Sequence, residues 1–65
     1  MELILKSNID NPDDFYQELI DSQRDLNEDQ VQLMNAKLIL LLTNHIGDRD
    51  VISQALNAAH PAATP

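Results

Sequence analysis

A chain of 65 residues has room for one domain, and at this length only about 60% of the unfolded surface is hidden on folding, so a private core gives marginal stability. It has no cysteine, which excludes a disulfide framework and a thiolate metal site as supplements to that core. Four Lys and Arg stand against eleven Asp and Glu, a formal charge of -7 that repels phosphate backbones and anionic headgroups and excludes direct binding to nucleic acid or a membrane surface.

Residues 1–9 carry Leu3, Ile4, Leu5 and Ile9 without a helical period, and Ser7-Asn8 interrupts them. They read as an extended or frayed arm that lies across the helices or pairs with a second copy of the chain. The segment also lacks the basic start, long apolar stretch and small-residue cleavage site of a signal peptide. No run reaches the roughly 18 apolar residues of a spanning helix, so the expected compartment is the cytoplasm.

The first helix is announced by Asn11-Pro12-Asp13-Asp14: a capping residue, a proline suited to the first helical position, and two carboxylates at the positive end of the dipole. It is predicted to run from Pro12 to about Asp25. Phe15, Leu19, Ser22 and Leu26 follow the helical spacing, with Tyr16 and Ile20 widening the stripe. Asn27 and Gln30 then form an approximate capping box, with Leu26 and Val31 at the two staple positions, and open a second helix from Glu28 to Ile46. So short a turn folds the second helix back against the first as an antiparallel hairpin. The second helix stops at Gly47, the only glycine in the chain, and at about 1.5 Å per residue it is near 28 Å long. Asp48 caps a third helix from Arg49 to about Ala59, whose stripe is Val51, Ile52, Ala55, Leu56 and Ala59. His60-Pro61 ends it, and Ala62 to Pro65 form a tail with nothing to pack. The expected fold is all-α, a helical hairpin extended to a small three-helix bundle.

The segment Leu33 to Asp48 is too apolar for one face of a helix and too short to cross a membrane, so protein must bury it. On a wheel of about 100° per residue, Val31, Met34, Leu38, Ile39, Leu41, Leu42 and Ile46 fall on one broad arc and are expected to form the core. Asn35 and His45 lie within that arc, and as buried polar groups each requires a hydrogen-bond partner. Leu33, Ala36 and Leu40, continued by Thr43, fall on the opposite side. There they are either ordinary surface apolar residues or a stripe that an antiparallel second copy or a partner helix covers.

Chemistry-bearing patterns are weak. His45 with Asp48 and Asp50 brings together an imidazole and two carboxylates, but Asp48 is accounted for as a cap and Asp50 as a dipole partner. Asp10, Asp13 and Asp14 lack the alternating spacing and the glycine of a calcium loop. One glycine makes no phosphate loop, and Ser22, Ser53 and Thr43 stand beside no base in a nucleophilic context. A helix-turn-helix comparison fails because neither the second nor the third helix carries basic and amide side chains for a groove. No cofactor and no metal are implied.

Asn11-Pro12-Asp13-Asp14-Phe15-Tyr16, then Leu19-Ile20, then Leu33 through Asp48 resemble a family of short bacterial proteins classed as a domain of unknown function, over roughly residues 9–59. In that family the position of Asn35 is similarly Asn and that of Lys37 is often Arg. Its genes sometimes lie beside those of flavin-dependent aromatic hydroxylases, so the resemblance implies an accessory role and supplies no catalytic residue. Together these features lead to a non-enzymatic interaction or accessory protein that pairs with itself as a homodimer or holds a larger partner such as an enzyme. The alternative is a small-ligand or metal-binding domain using His45 and Asn35; an acidic mimic of nucleic acid is a third reading, resting on charge alone.

Overall fold

The computed structural model describes residues 1–62. Three helices follow in order, α1 (Pro12–Ser22), α2 (Glu28–Ile46) and α3 (Arg49–Ala59), in a small bundle-like all-α arrangement with no strand among the described residues. The tail expected at Ala62 to Pro65 falls outside the described residues beyond Ala62.

The ends of α2 and α3 are set by local chemistry. Asn27 is extended at the start of α2, so its side chain points back over the first turn and accepts from the Gln30 backbone N–H at 2.9 Å. Gln30 returns the favour, its Oε1 accepting from the Asn27 N–H at 3.0 Å, which completes the capping box. At the far end Gly47 adopts φ 67° and its N–H donates to the Thr43 carbonyl at 2.9 Å. Asp48 follows at once in an extended conformation and caps α3, its Oδ1 accepting from the Val51 N–H at 3.1 Å. A Cβ added to Gly47 meets only the Asn44 carbonyl oxygen at 3.8 Å, so what glycine supplies there is backbone freedom rather than space.

α1 departs from expectation at both ends. Asn11 does not cap with its side chain: its backbone is left-handed (φ 51°, ψ 64°), and only its carbonyl serves the helix, accepting from Asp14 at 3.0 Å and Phe15 at 3.3 Å. A side-chain cap requires the extended conformation that Asn27 and Asp48 adopt. The helix also stops at Ser22 instead of about Asp25. The Ser22 hydroxyl donates to the Leu19 carbonyl at 2.7 Å, competing for the acceptor that the next helical N–H requires, and the Gln23 N–H turns instead to Ile20 at 3.2 Å.

No two helices pack along their lengths. The radius of gyration is 13.6 Å, against about 10.7 Å for a compact chain of this length. Val51, at 8% exposure, is the one buried hydrophobic residue among those described. The arc expected to form the core is accordingly only partly covered: Val31, Met34 and Leu38 are half-buried, whereas Ile39, Leu41, Leu42 and Ile46 are exposed. The reason is geometric, since a wheel assigns a direction to each side chain but does not guarantee a neighbour in that direction. The N-terminal arm has no regular structure, yet it is tied to the third helix, the Leu3 N–H donating to Gln54 Oε1 at 3.2 Å with Leu3 half-buried.

With so little core, the caps carry much of the local order. Asn27→Ala is expected to cost about 1 kcal/mol, and Gly47→Ala a similar amount by forcing a Cβ into the left-handed region. Asn11→Gly should change stability by less than about 0.5 kcal/mol, because no side-chain cap is lost there. Thermal unfolding followed by circular dichroism at one fixed protein concentration checks all three.

Candidate interaction surface

The surroundings of α2 define what is left open. On one side Leu26, after the end of α1, shares an apolar trough with Leu33, Met34, Lys37, Leu38 and Leu41 of α2. Gln23 Nε2 reaches across to Asn35 Oδ1 at 2.8 Å in an exposed hydrogen bond. On another side α3 brings Val51, Ile52 and Ala55 towards Ile39, Thr43 and Ile46, with Leu3 of the arm closing the same seam. On the wheel the arc Ala36, Leu40, Leu33, Asn44, Lys37 and Leu41 is exposed throughout, and its Leu33, Lys37 and Leu41 line that trough. Leu33 is 56% exposed, Leu40 68% and Leu41 69%.

Three expectations change. Thr43 is half-buried at the border of the open side, its hydroxyl donating to the Leu40 carbonyl at 3.0 Å; it lines the seam with α3 and also a groove with Leu40, Asn44 and Ile52. Asn35 and His45 are exposed rather than buried. The arc that contains them is not closed over by α1 and α3, so neither side chain is taken out of water. Asn35 finds its partner in Gln23, not in a core. His45 stands in the last turn of α2, at the negative end of the helix dipole. Among the described residues no three His, Asp or Glu side chains converge as metal ligands, so His45, Asp48 and Asp50 do not form such a group. No helix among the described residues is long and apolar enough to cross a membrane.

The wheel did not anticipate how much apolar surface stays open. The accessible surface is 6122 Å², whereas a compact monomer of 7.3 kDa presents about 4,200 Å². Part of this excess of about 1,900 Å² lies in the arm, where Ile4 and Leu5 are exposed, and on α1, where Phe15, Tyr16 and Ile20 are exposed. The signal was available in the composition of α2: unlike α1 and α3 it has apolar residues around its whole circumference, the pattern of a helix that is covered on all sides.

The carboxylates are arranged around this surface, not on it. All eleven carboxylates lie before Gln30 or after Gly47, and the stretch between them carries Lys37 as its only Lys or Arg. On α1, the guanidinium of Arg24 and, second, the amide of Gln17 hold the Asp21 carboxyl below its ordinary value. The ionised form is thus favoured by the fold. Its contribution is fully present above the ordinary aspartate range and is lost as pH falls through the lowered value. Solvent screening keeps it small. Arg24→Ala should raise the Asp21 titration midpoint towards that of an unperturbed aspartate, as read from its carboxyl carbon shift by NMR.

No curated protein and no solved structure matches the chain. The model of a family described as proteins of unknown function, DUF2783, matches residues 3–61, and the chain belongs to that family.

Proposed function

We propose that the protein is a non-enzymatic protein–protein interaction module, with the open arc of α2 as its binding surface. The observation that carries this reading is the excess of about 1,900 Å² of accessible surface over a compact chain of this mass, with contiguous exposed leucines on the longest helix. Monomeric soluble proteins rarely keep such a stripe wet, and contiguous exposed apolar surface marks an interaction site. The arc is also nearly free of charge, as the centre of a protein interface is. Leu33 and Leu40 form its middle, and Ala36 and Leu41 stand at its two edges.

Nothing in the geometry favours the alternative of a ligand or metal site at Asn35 and His45. The Asn35 amide oxygen is already engaged by Gln23, and the two side chains have no shared cavity.

The test is photo-cross-linking in the native cell, with a benzophenone amino acid placed at Lys37 on the open arc and, as a control, at Gln32 on the same helix outside it. A protein adduct at Lys37 that is absent or much weaker at Gln32 is the expected outcome. No adduct at Lys37, or equal yields at both positions, removes this reading.

A further inference from the structure

Resting on that reading of α2, we infer that its occupant is a basic amphipathic helix of a partner protein, lying in the trough lined by Leu26, Leu33, Met34 and Leu41 with its Lys and Arg residues over Asp25 and Asp29. The trough is the seat. The distribution of charge selects what sits there.

The whole formal charge of -7 belongs to a single stretch of the chain. Residues 10–29 hold eight of the eleven carboxylates and, of the four Lys and Arg, only Arg24. Outside that stretch Glu2, Asp48 and Asp50 are balanced by Lys6, Lys37 and Arg49. The acidic stretch runs directly into the trough: Asp25 precedes Leu26, and Asp29 stands one helical turn before Leu33 on the same side of α2. Both carboxylates are exposed. Arg24 is engaged by Asp21, and among the described residues neither Asp25 nor Asp29 has an ion-pair partner.

These features discriminate between occupants. An acidic segment, a second copy at -7 included, meets repulsion at this end of the trough, whereas a basic one is steered to it and held in register. Among the described residues there is no strand edge for an extended peptide to join. A trough along a helix instead takes the apolar anchors that a partner helix presents at i, i+3, i+4 and i+7. From Gln30 to Leu41 it follows α2 for about 16 Å, the length of a partner helix of about eleven residues. Lys37 sets the polarity of the pairing. It lines the trough one turn beyond Leu33, so cations of the partner are attracted over Asp25 and Asp29 and repelled further along, and they gather at one end of its helix.

The experiment is fluorescence anisotropy of the full chain with a labelled synthetic peptide of about fifteen residues, leucines at i, i+3, i+4 and i+7 and lysines gathered at one end. Saturable binding below about 100 μM is expected, weakened about tenfold or more when glutamate replaces lysine or when the residue order is shuffled to abolish the apolar face. Leu33→Gln with Leu41→Gln should weaken it about tenfold or more, and Asp25→Asn with Asp29→Asn about fivefold. Glu2→Gln with Asp50→Asn removes the same charge away from the trough and should leave the affinity within about twofold. Binding should also weaken between about 0.01 M salt, where charges are felt over about 30 Å, and 0.15 M, where the range is about 8 Å. The comparison of peptides stands even where a substitution lowers the helical circular dichroism. No saturable binding, equal affinity for the lysine and glutamate peptides, indifference to the leucine substitutions, or equal losses at the two pairs of carboxylates overturns the basic helix. In the cell, mass spectrometry of the Lys37 photo-adduct reads the segment that is joined, and a basic amphipathic one is expected. An acidic or non-amphipathic segment, or a second copy of this chain, overturns the basic helix and leaves α2 as an interaction surface; the absence of any adduct removes both.

Discussion

The constraint on which the rest depends is one of length and coverage. α2 spans about 28 Å and is apolar on nearly every side, while α1 and α3, at eleven residues each, span about 16 Å. Two short helices joined at the two ends of a long one can shield part of two sides, and they leave the remainder in water. The apolar side chains of α2 are therefore a larger demand for burial than the chain can meet. The low protection of the helix, the open shape and the exposed arc are all expressions of that mismatch.

Order in this molecule consequently rests on short-range devices. The Asn27 and Gln30 box, the left-handed Gly47 and the Asp48 cap each satisfy helix-end groups without help from distant residues. The corner between α2 and α3 combines two of these devices within a few residues, from the Thr43 carbonyl to the Val51 amide, and Val51 is the best hidden from solvent among the described residues. The corner is thus the firmest part of the fold, and the long-range links, Leu3 to Gln54 and Gln23 to Asn35, are single exposed hydrogen bonds. Bonds of that kind contribute little net free energy in water.

This division explains which parts could be read from the sequence. The bounds of α2 and α3 were legible to the residue because Asn27, Gly47 and Asp48 act locally and their residue types state their roles. The end of α1 was not, because Ser22 fits the helical spacing while its hydroxyl diverts the acceptor that would continue the helix. Asn11 was misread for a related reason: its type permits both a side-chain cap and a left-handed backbone, and the sequence does not choose between them. The placement of Asn35, His45 and Thr43 failed at the next level. A wheel orders side chains by direction, and turning direction into burial assumed that α1 and α3 close over the whole arc. Leu33, Ala36 and Leu40 were separable from that arc because their angular position alone sets them apart. The mass balance between an apolar helix and two short neighbours was present in the sequence as well, though as an area, not as a pattern.

The confinement of every carboxylate to the flanks of α2 also bears on colloidal behaviour. A sticky helix in a chain of this size invites open-ended stacking, in which each added copy offers fresh leucines to the next. Acidic segments on both sides of the stripe act as gatekeepers: each further layer must bring more negative charge alongside what is already there, so growth is self-limiting at neutral pH. The brake is electrostatic and so has an operating range. Near the isoelectric point of about 4.3 the chain is close to neutral overall, the repulsion is gone, and the exposed leucines of α2 favour precipitation.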